Sequence, residues 1–315
     1  MGVPQGSVLG PLLFVIFIND FCELELFSEK CLYADDTTIY YSGEFLDEII
    51  YKINQDLDLS YNWFNHNRLI VNWQKSNAML FCKQPDLIDF ENLNISVDGN
   101  RLEFVNTFKL LGVTLDRQLR FEDHFAAVCK KVNYKCYIIS RSKHLFNEKF
   151  RATLFKLFLQ SHFDYCSTLF ASVNVGSLSI LKKCFKKSIK HLLCLKLNGL
   201  EDINHYSILK KFNILPFSFR LLKRYCSFIH MVMNNKECSL NVNLKKNEID
   251  GYLRHPFIQP KCFSTKYGLT SFSNIGVKLL NKFLFNMIQL SKSKLSAVIN
   301  KNILKLYLET KDFFN

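Results

Sequence analysis

No glycine-rich phosphate loop followed by Lys-Ser or Lys-Thr occurs anywhere in the sequence, nor does a nucleophile elbow or an H-E-x-x-H zinc motif. These absences argue against a P-loop NTPase, an α/β-hydrolase and a zinc protease. No C-x-x-C pair occurs either. The eleven cysteines are odd in number and scattered (Cys22, Cys31, Cys82, Cys129, Cys136, Cys166, Cys184, Cys194, Cys226, Cys238, Cys262), which matches no zinc module. They read as reduced, buried small hydrophobes of an intracellular protein, in the cytoplasm or nucleus. The histidines form no spaced pair that demands a ligand role. His162 and Cys166 share a helical face, but two potential ligands without a second pair make no metal site.

No run is long enough to cross a bilayer, which needs about 20 apolar residues. The longest candidate, "VLGPLLFVIFI" at 8–18, is of signal-peptide length, yet Met1 to Ser7 carries no basic residue. Gly6 stands where a myristoylation signal needs Ser or Thr. No repeat period and no low-complexity tract is visible, and no membrane partner is expected.

What the chain does have is apolar bulk and positive charge. Hydrophobic residues make up 48% of the 315, with 30 Phe, enough for a packed core of one large or two ordinary domains. Lys and Arg number 41 against 28 Asp and Glu, a net charge of +13. That surplus suits a polyanionic partner, either nucleic acid or an anionic membrane; a basic surface with no partner is the bland alternative.

Periodicity divides the chain. Gly2, Pro4 and Gly6 punctuate a loop at 2–7, and an apolar helix follows to about Phe21. Residues 31–41 read as two strands around a tight turn at Asp35 and Asp36. Leu46, Ile49, Ile50, Ile53, Leu57 and Tyr61 recur at helical spacing. A strand at 77–81, a hairpin at 94–105 around Asp98-Gly99, and one strand at 108–116 with Gly112 at its centre complete the first part. From about Arg120 to Met233 the pattern is helical with basic outer faces. A polar stretch at 234–251 reads as a linker, and a final helix is expected near 291–309.

Four features carry chemistry: the small-residue loop "GVPQGSVLGPLLF" (2–14), the acidic turn "YADD" (33–36), Lys75 in "NWQKS" just before a strand, and "FKLLGVTLD" (108–116). Alone, each has a dull reading as turn chemistry, a helix cap or a solvated lysine. Together and in this order they resemble the reverse transcriptase domain of non-LTR (LINE- or jockey-type) retrotransposons. "LRFEDHFAAVCKKVNYKCYII" (119–139), and more weakly 181–193 and 267–283, extend the resemblance along the chain.

The resemblance implies an α+β fold: a partial polymerase palm of antiparallel sheet and packed helices at 1–116, a helical basic thumb at 117–233, and a C-terminal extension at 234–315. It implies RNA-directed DNA polymerase chemistry by two-metal nucleotidyl transfer, with RNA template, DNA primer and dNTP as partners and Mg²⁺, or Mn²⁺, as cofactor. Asp35 would be the metal ligand proper and Asp36 its less critical neighbour. Lys75 would serve the leaving pyrophosphate. Gly2, Pro4, Gln5, Gly6 and Ser7 would contact template and nucleotide, with Tyr33 beneath the primer end. Leu110, Leu111 and Gly112 would form the primer grip.

The family also places another catalytic aspartate on a strand upstream of the "PQGS" loop, a position this sequence does not include. The expectation is therefore a truncated copy or incomplete gene product that polymerises nothing alone. Losing even ~4 kcal/mol of transition-state stabilisation would cost about a thousandfold in rate. The alternatives are a non-catalytic nucleic-acid-binding remnant, a repurposed protein, or a rarely translated pseudogene product.

Overall fold

The computed structural model describes residues 4, 6–82, 88–90, 93–173, 175–195, 202–234, 279 and 290–310. The expected linker at 234–251, except its first residue Asn234, and nearly all of the 267–283 stretch lie outside them. Helices and small sheets mix in an α+β arrangement, and the chain divides into two units, Met1–Phe108 and Lys109–Asn315.

The first unit opens with α1 (Gly10–Ile18), which passes into a 3-10 turn at Asn19–Glu23. Ser7 Oγ accepts the Gly10 N–H at 3.1 Å, satisfying one donor at the helix start, and a proline stands in the first turn. β1 (Glu29–Tyr33) and β2 (Asp36–Tyr40) pair antiparallel, with Tyr33 opposite Asp36. The long α2 (Leu46–His66) follows. Phe21, fully buried, meets Trp63 edge-on at 5.3 Å and stacks on Phe64 at 5.1 Å, so the end of α2 closes over the 3-10 turn. Most of α1 stays uncovered: Leu9, Leu12, Leu13, Val15, Ile16 and Phe17 are all exposed.

The sheet differs from the expected antiparallel one. Among the described residues, strands form four two-stranded pieces. β3 is only Asn77–Ala78, not 77–81, and pairs parallel with β6 (Glu103–Phe104). β4 (Ser96–Val97) and β5 (Asn100–Arg101) make the hairpin read from Asp98-Gly99. Both turn residues take positive φ (50° and 74°), as a type I′ turn requires.

The 108–116 segment is not one strand. β7 (Thr107–Leu110) and β8 (Val113–Asp116) fold on each other about Leu111 (φ 45°) and Gly112 (φ 85°). Gly112 is a turn residue and not a strand centre, because the left-handed conformation it adopts has little cost only for glycine.

The second unit is helical: α3 (Glu122–Arg141), α4 (Glu148–Leu154), a π-helical stretch Phe155–Gln160 leading into α5 (Ser161–Asp164), α6 (Val175–Leu193), α7 (Asp202–Lys210), α8 (Phe217–Asn234) and α9 (Lys292–Thr310). One core gathers Phe121, Phe125, Phe155, Phe163, Phe170, Phe185 and Phe217 between α3, α6 and their neighbours. Phe125 meets Phe170 at 5.0 Å and 88°, and Phe163 meets Phe185 at 5.2 Å and 81°, the edge-to-face geometry that ring quadrupoles favour. A second core joins Phe219, Leu222, Tyr225 and Ile229 of α8 to Leu295, Ile299 and Ile303 of α9.

Cysteine burial corrects an expectation. Cys136, Cys184 and Cys226 are buried, but Cys22, Cys31 and Cys194 are exposed and Cys82, Cys129 and Cys166 intermediate. Burial pushes the Cys226 thiol up to about 12.

His124 is buried in the first core, and the Thr114 N–H donates to its Nδ1 at 3.3 Å, pinning β8 to α3. Burial first, then the nearby Lys131 ammonium, pulls its pKa below the usual 6.5. Burial does the same to His162. A depressed folded-state pKa means the unfolded chain binds more protons, so stability is full above pH 6.5 and is lost as pH falls through the folded value. The urea midpoint of the second unit should therefore fall between about pH 7 and pH 5, with a shallower slope in His124→Gln. An equal slope in the variant would remove His124 from this account.

Candidate functional site

The acidic turn is a two-residue connection. Ala34 and Asp35 occupy it, and Asp36 begins β2 opposite Tyr33, so the turn lies one residue earlier than the expected Asp35-Asp36 pair. Ala34 sits at φ 52°, a conformation that costs a residue with a Cβ about 1–2 kcal/mol. Tyr33, Ala34, Asp35 and Asp36 are all exposed. Among the described residues neither carboxylate has a hydrogen-bond or ion-pair partner.

α2 fixes both ends of this hairpin. Asp56, with no exposed surface, accepts the N–H of Phe27 at 2.9 Å and of Ser28 at 2.8 Å, immediately before β1. One turn back, the Lys52 ammonium meets the Tyr41 hydroxyl at 2.7 Å, just beyond β2, and Glu48 at 2.5 Å. Glu48 and Tyr41 together hold the Lys52 pKa up to about 12. Sequence reading missed Asp56. The available signal was an acid inside the apolar stripe between Ile53 and Leu57.

The other expected site residues fall as follows. Pro4, Gly6 and Ser7 form a turn closed by the Ser7 N–H on the Pro4 carbonyl at 3.2 Å, with Gly6 at φ 86° and nothing within 4 Å of where a Cβ would stand. Conformation, not crowding, demands glycine there. Gly2 and Gln5 lie outside the described residues. Lys75 is exposed at the end of a 3-10 turn, Trp73–Lys75, directly before β3. Leu110, Leu111 and Gly112 form the tip of the β7–β8 hairpin and belong to the second unit, while Asp35 and Asp36 belong to the first. The Tyr165 hydroxyl donates to the Leu111 carbonyl, and its ring would lie 3.5 Å from a Cβ at Gly112.

Asp116 then accepts three backbone N–H groups, from Gln118 (3.1 Å), Arg120 (3.0 Å) and Phe121 (2.6 Å), shaping the loop that delivers Phe121 to the core. Neither Tyr165 nor Asp116 was singled out from sequence.

As donors, Asp35 and Asp36 are hard oxygen ligands on one turn. Among the described residues no group of three or more His, Cys, Asp or Glu side chains converges as a metal cage. A Mg²⁺ ion keeps several waters and needs only one or two protein carboxylates, so the pair fits such an ion. His162 and Cys166 do not extend to a metal site either; Cys166 follows the end of α5 at φ 49°. No helix among the described residues is long and apolar enough to cross a membrane.

Comparison with known proteins shows what the sequence is similar to. Residues 1–115 match the family described as "Reverse transcriptase (RNA-dependent DNA polymerase)". That match covers the first 115 of the 315 residues and shows what they are similar to. Similar proteins include the RNA-directed DNA polymerase from mobile element jockey of Drosophila melanogaster, 29% identical over 40% of this chain and 14% of that protein. The probable RNA-directed DNA polymerase from transposon BS of the same species is 32% identical over 49% of this chain and 17% of its own length. The Pol polyprotein of the type-1 element R1 2 of Nasonia vitripennis is 28% identical over 42% of this chain and 33% of its own.

The chain thus spans well under two thirds of the length of these curated relatives. No solved structure matches it. All expected site residues, from Gly2 to Gly112, fall inside the matched reverse transcriptase stretch.

Asp56→Ala removes a charged acceptor from one buried and one part-buried backbone donor, which should cost about 2–4 kcal/mol of first-unit stability. Amide exchange across residues 29–40 should accelerate with it. Tyr165→Phe should cost about 1 kcal/mol and speed exchange at residues 111–113 while leaving 29–40 unchanged.

Proposed function

We propose that this chain is the C-terminal portion of a retroelement reverse transcriptase palm joined to a basic, thumb-like helical region. The observation that carries this reading is the "YADD" hairpin: two exposed carboxylates, without protein partners among the described residues, on a turn that α2 holds at both ends. In this reading residues 1–116 are palm, 117–233 thumb, and the protein works in the cytoplasm or nucleus. Its partners are an RNA template, a DNA primer and dNTP.

Asp35, with Asp36 beside it, would hold Mg²⁺ or Mn²⁺, whose chemistry when bound is to activate an attacking oxygen and offset charge on the leaving group. The chain's own residues do the rest. The Pro4–Ser7 turn, with the space beside Gly6 open, lets a polynucleotide approach the backbone closely. Lys75, exposed before β3, can neutralise a phosphate. Tyr33 offers an exposed ring beside the turn, and the Leu111-Gly112 tip, tethered by Tyr165, offers backbone to a primer end.

A second reading, a nucleic-acid-binding module without polymerase activity, is favoured by the lysines. Lys130 and Lys131 of α3 and Lys183, Lys187 and Lys190 of α6 are exposed, on helices that carry no acidic residue after their first turns. Such faces contact phosphates and release counterions.

Primer extension and binding by polypeptide 1–315 separate the two. Because two carboxylates reach the turn and no third acid among the described residues joins them, we expect no extension with Mg²⁺ or Mn²⁺. We expect RNA–DNA duplex binding that weakens with salt by roughly 0.9 log units per log unit of salt for each phosphate contacted. This binding should survive Asp35→Ala and weaken in a Lys183→Gln, Lys187→Gln, Lys190→Gln triple variant. Extension that Asp35→Ala abolishes would establish the enzyme reading for this chain alone. Absence of salt-dependent binding would defeat both readings.

A further inference from the structure

Three cysteines meet along the seam between α3 and α6, and the seam's register singles out two of them. Glu122 Oε1 accepts the Ser177 hydroxyl at 3.0 Å near the start of both helices. Further along, the Cys136 thiol turns toward the Ser188 carbonyl at 4.0 Å. The two helices therefore run side by side in the same direction. Seven residues after Glu122 comes Cys129, and seven after Ser177 comes Cys184. A seven-residue step returns each helix to the same seam. The two thiols duly come close enough to shift each other's ionisation. Cys184 is 7% exposed within the aromatic core, whereas Cys129 is half-buried and reachable from solvent.

We propose that Cys129 and Cys184 are a redox-active dithiol, which a peroxide-class oxidant converts into a disulfide stapling α3 to α6. The Cys129 sulfur attacks one peroxide oxygen, the O–O bond breaks, and water departs, leaving Cys129 as the sulfenic acid. The Cys184 sulfur then attacks the Cys129 sulfur. Its own proton leaves with the displaced hydroxide as a second water. Two thiols lose two electrons and one peroxide becomes two waters.

The neighbourhood favours this order. The Cys184 thiol beside it draws the Cys129 thiol below its ordinary range, while Cys184 itself is raised by that neighbour and by burial. The more acidic thiol is thus also the more accessible one. Cys136 is occupied with Ser188 and raised by burial, and Cys226 lies in the other core. The bridge would close a loop containing α4, the π-helical stretch and α5, restricting the unfolded chain more than the folded one. None of this depends on the reverse transcriptase reading.

The test treats the reduced 315-residue chain with hydrogen peroxide, blocks remaining thiols with N-ethylmaleimide, and maps peptides by mass spectrometry without reductant. The expected product joins the Cys129 and Cys184 peptides, two hydrogens lighter than their sum, and disappears with dithiothreitol. It should be absent from Cys129→Ser and Cys184→Ser and persist in Cys136→Ser. Oxidation should raise the melting temperature of the unmutated chain by about 5–15 °C. Cys129 ending as unlinked sulfinic acid, linked to another cysteine, or untouched would each overturn the proposal. The unmutated chain alone decides this, whether or not a variant folds.

Discussion

One helix gripping both ends of one hairpin is the constraint on which the acidic turn depends. A two-stranded hairpin of five-residue strands is marginal in water. Here Asp56 takes the two N–H groups that precede β1, and Lys52 takes the Tyr41 hydroxyl just after β2. Because Lys52 and Asp56 stand one helical turn apart, their spacing along α2 sets the spacing of the two feet. The buried Asp56 does this at the cost of desolvating a carboxylate, which two short backbone donors offset. With both feet held, the tip can present Asp35 and Asp36 to solvent without any further contact of their own. Strain at Ala34 is tolerable for the same reason: the ladder on each side imposes it.

The second unit answers a different problem, that of closing several short helical pieces around large rings. Interlocked phenylalanines fill the space between α3 and α6, and the π-helical stretch turns Phe155 and Leu159 into that core ahead of Phe163. Asp164, the last residue of α5, pairs with Arg220 and, at 3.0 Å, with Arg224 of α8. Two arginines on one carboxylate leave a surplus of positive charge half-buried at the start of α8, and burial, then these two charges, lowers the Lys223 pKa. α8 then serves two cores, sending Phe217 and Leu221 to one and Phe219, Leu222 and Tyr225 to the other. A pair so placed specifies an arrangement more than it adds net stability, since desolvation consumes most of the attraction.

Particular residues show how far pattern reading reached. Asp98-Gly99 was legible because aspartate and glycine are the residues that tolerate positive φ, and the hairpin formed where they stand. Leu111-Gly112 makes the same kind of turn but was read as strand, because leucine carries no turn preference and the flanking residues alternate like a strand. The helices of the second unit were legible from their period, whereas the π-helical stretch was not, since its departure from helical spacing is a fraction of a residue per turn. Among site residues, the YADD turn, the Gly6 turn and Lys75 announced themselves through residue type. Asp56, Tyr165 and Asp116 did not, because each acts on backbone atoms tens of residues away or in an irregular loop.

By itself the sequence determined the likeness of residues 1–115 to reverse transcriptases, the division into a mixed first part and a basic helical second part, and the residue types offered at the acidic turn. These follow from local order: motif spacing, apolar period and charge count need no knowledge of distant neighbours. The tertiary structure alone decided that both turn carboxylates stay free of partners among the described residues, that one helix holds the hairpin by its two ends, and that Cys129 faces Cys184 across a seam 55 residues long in sequence. The physical reason is the same in each case. Hydrogen bonds and packing between distant segments depend on which faces meet, and that choice is made by the whole core at once.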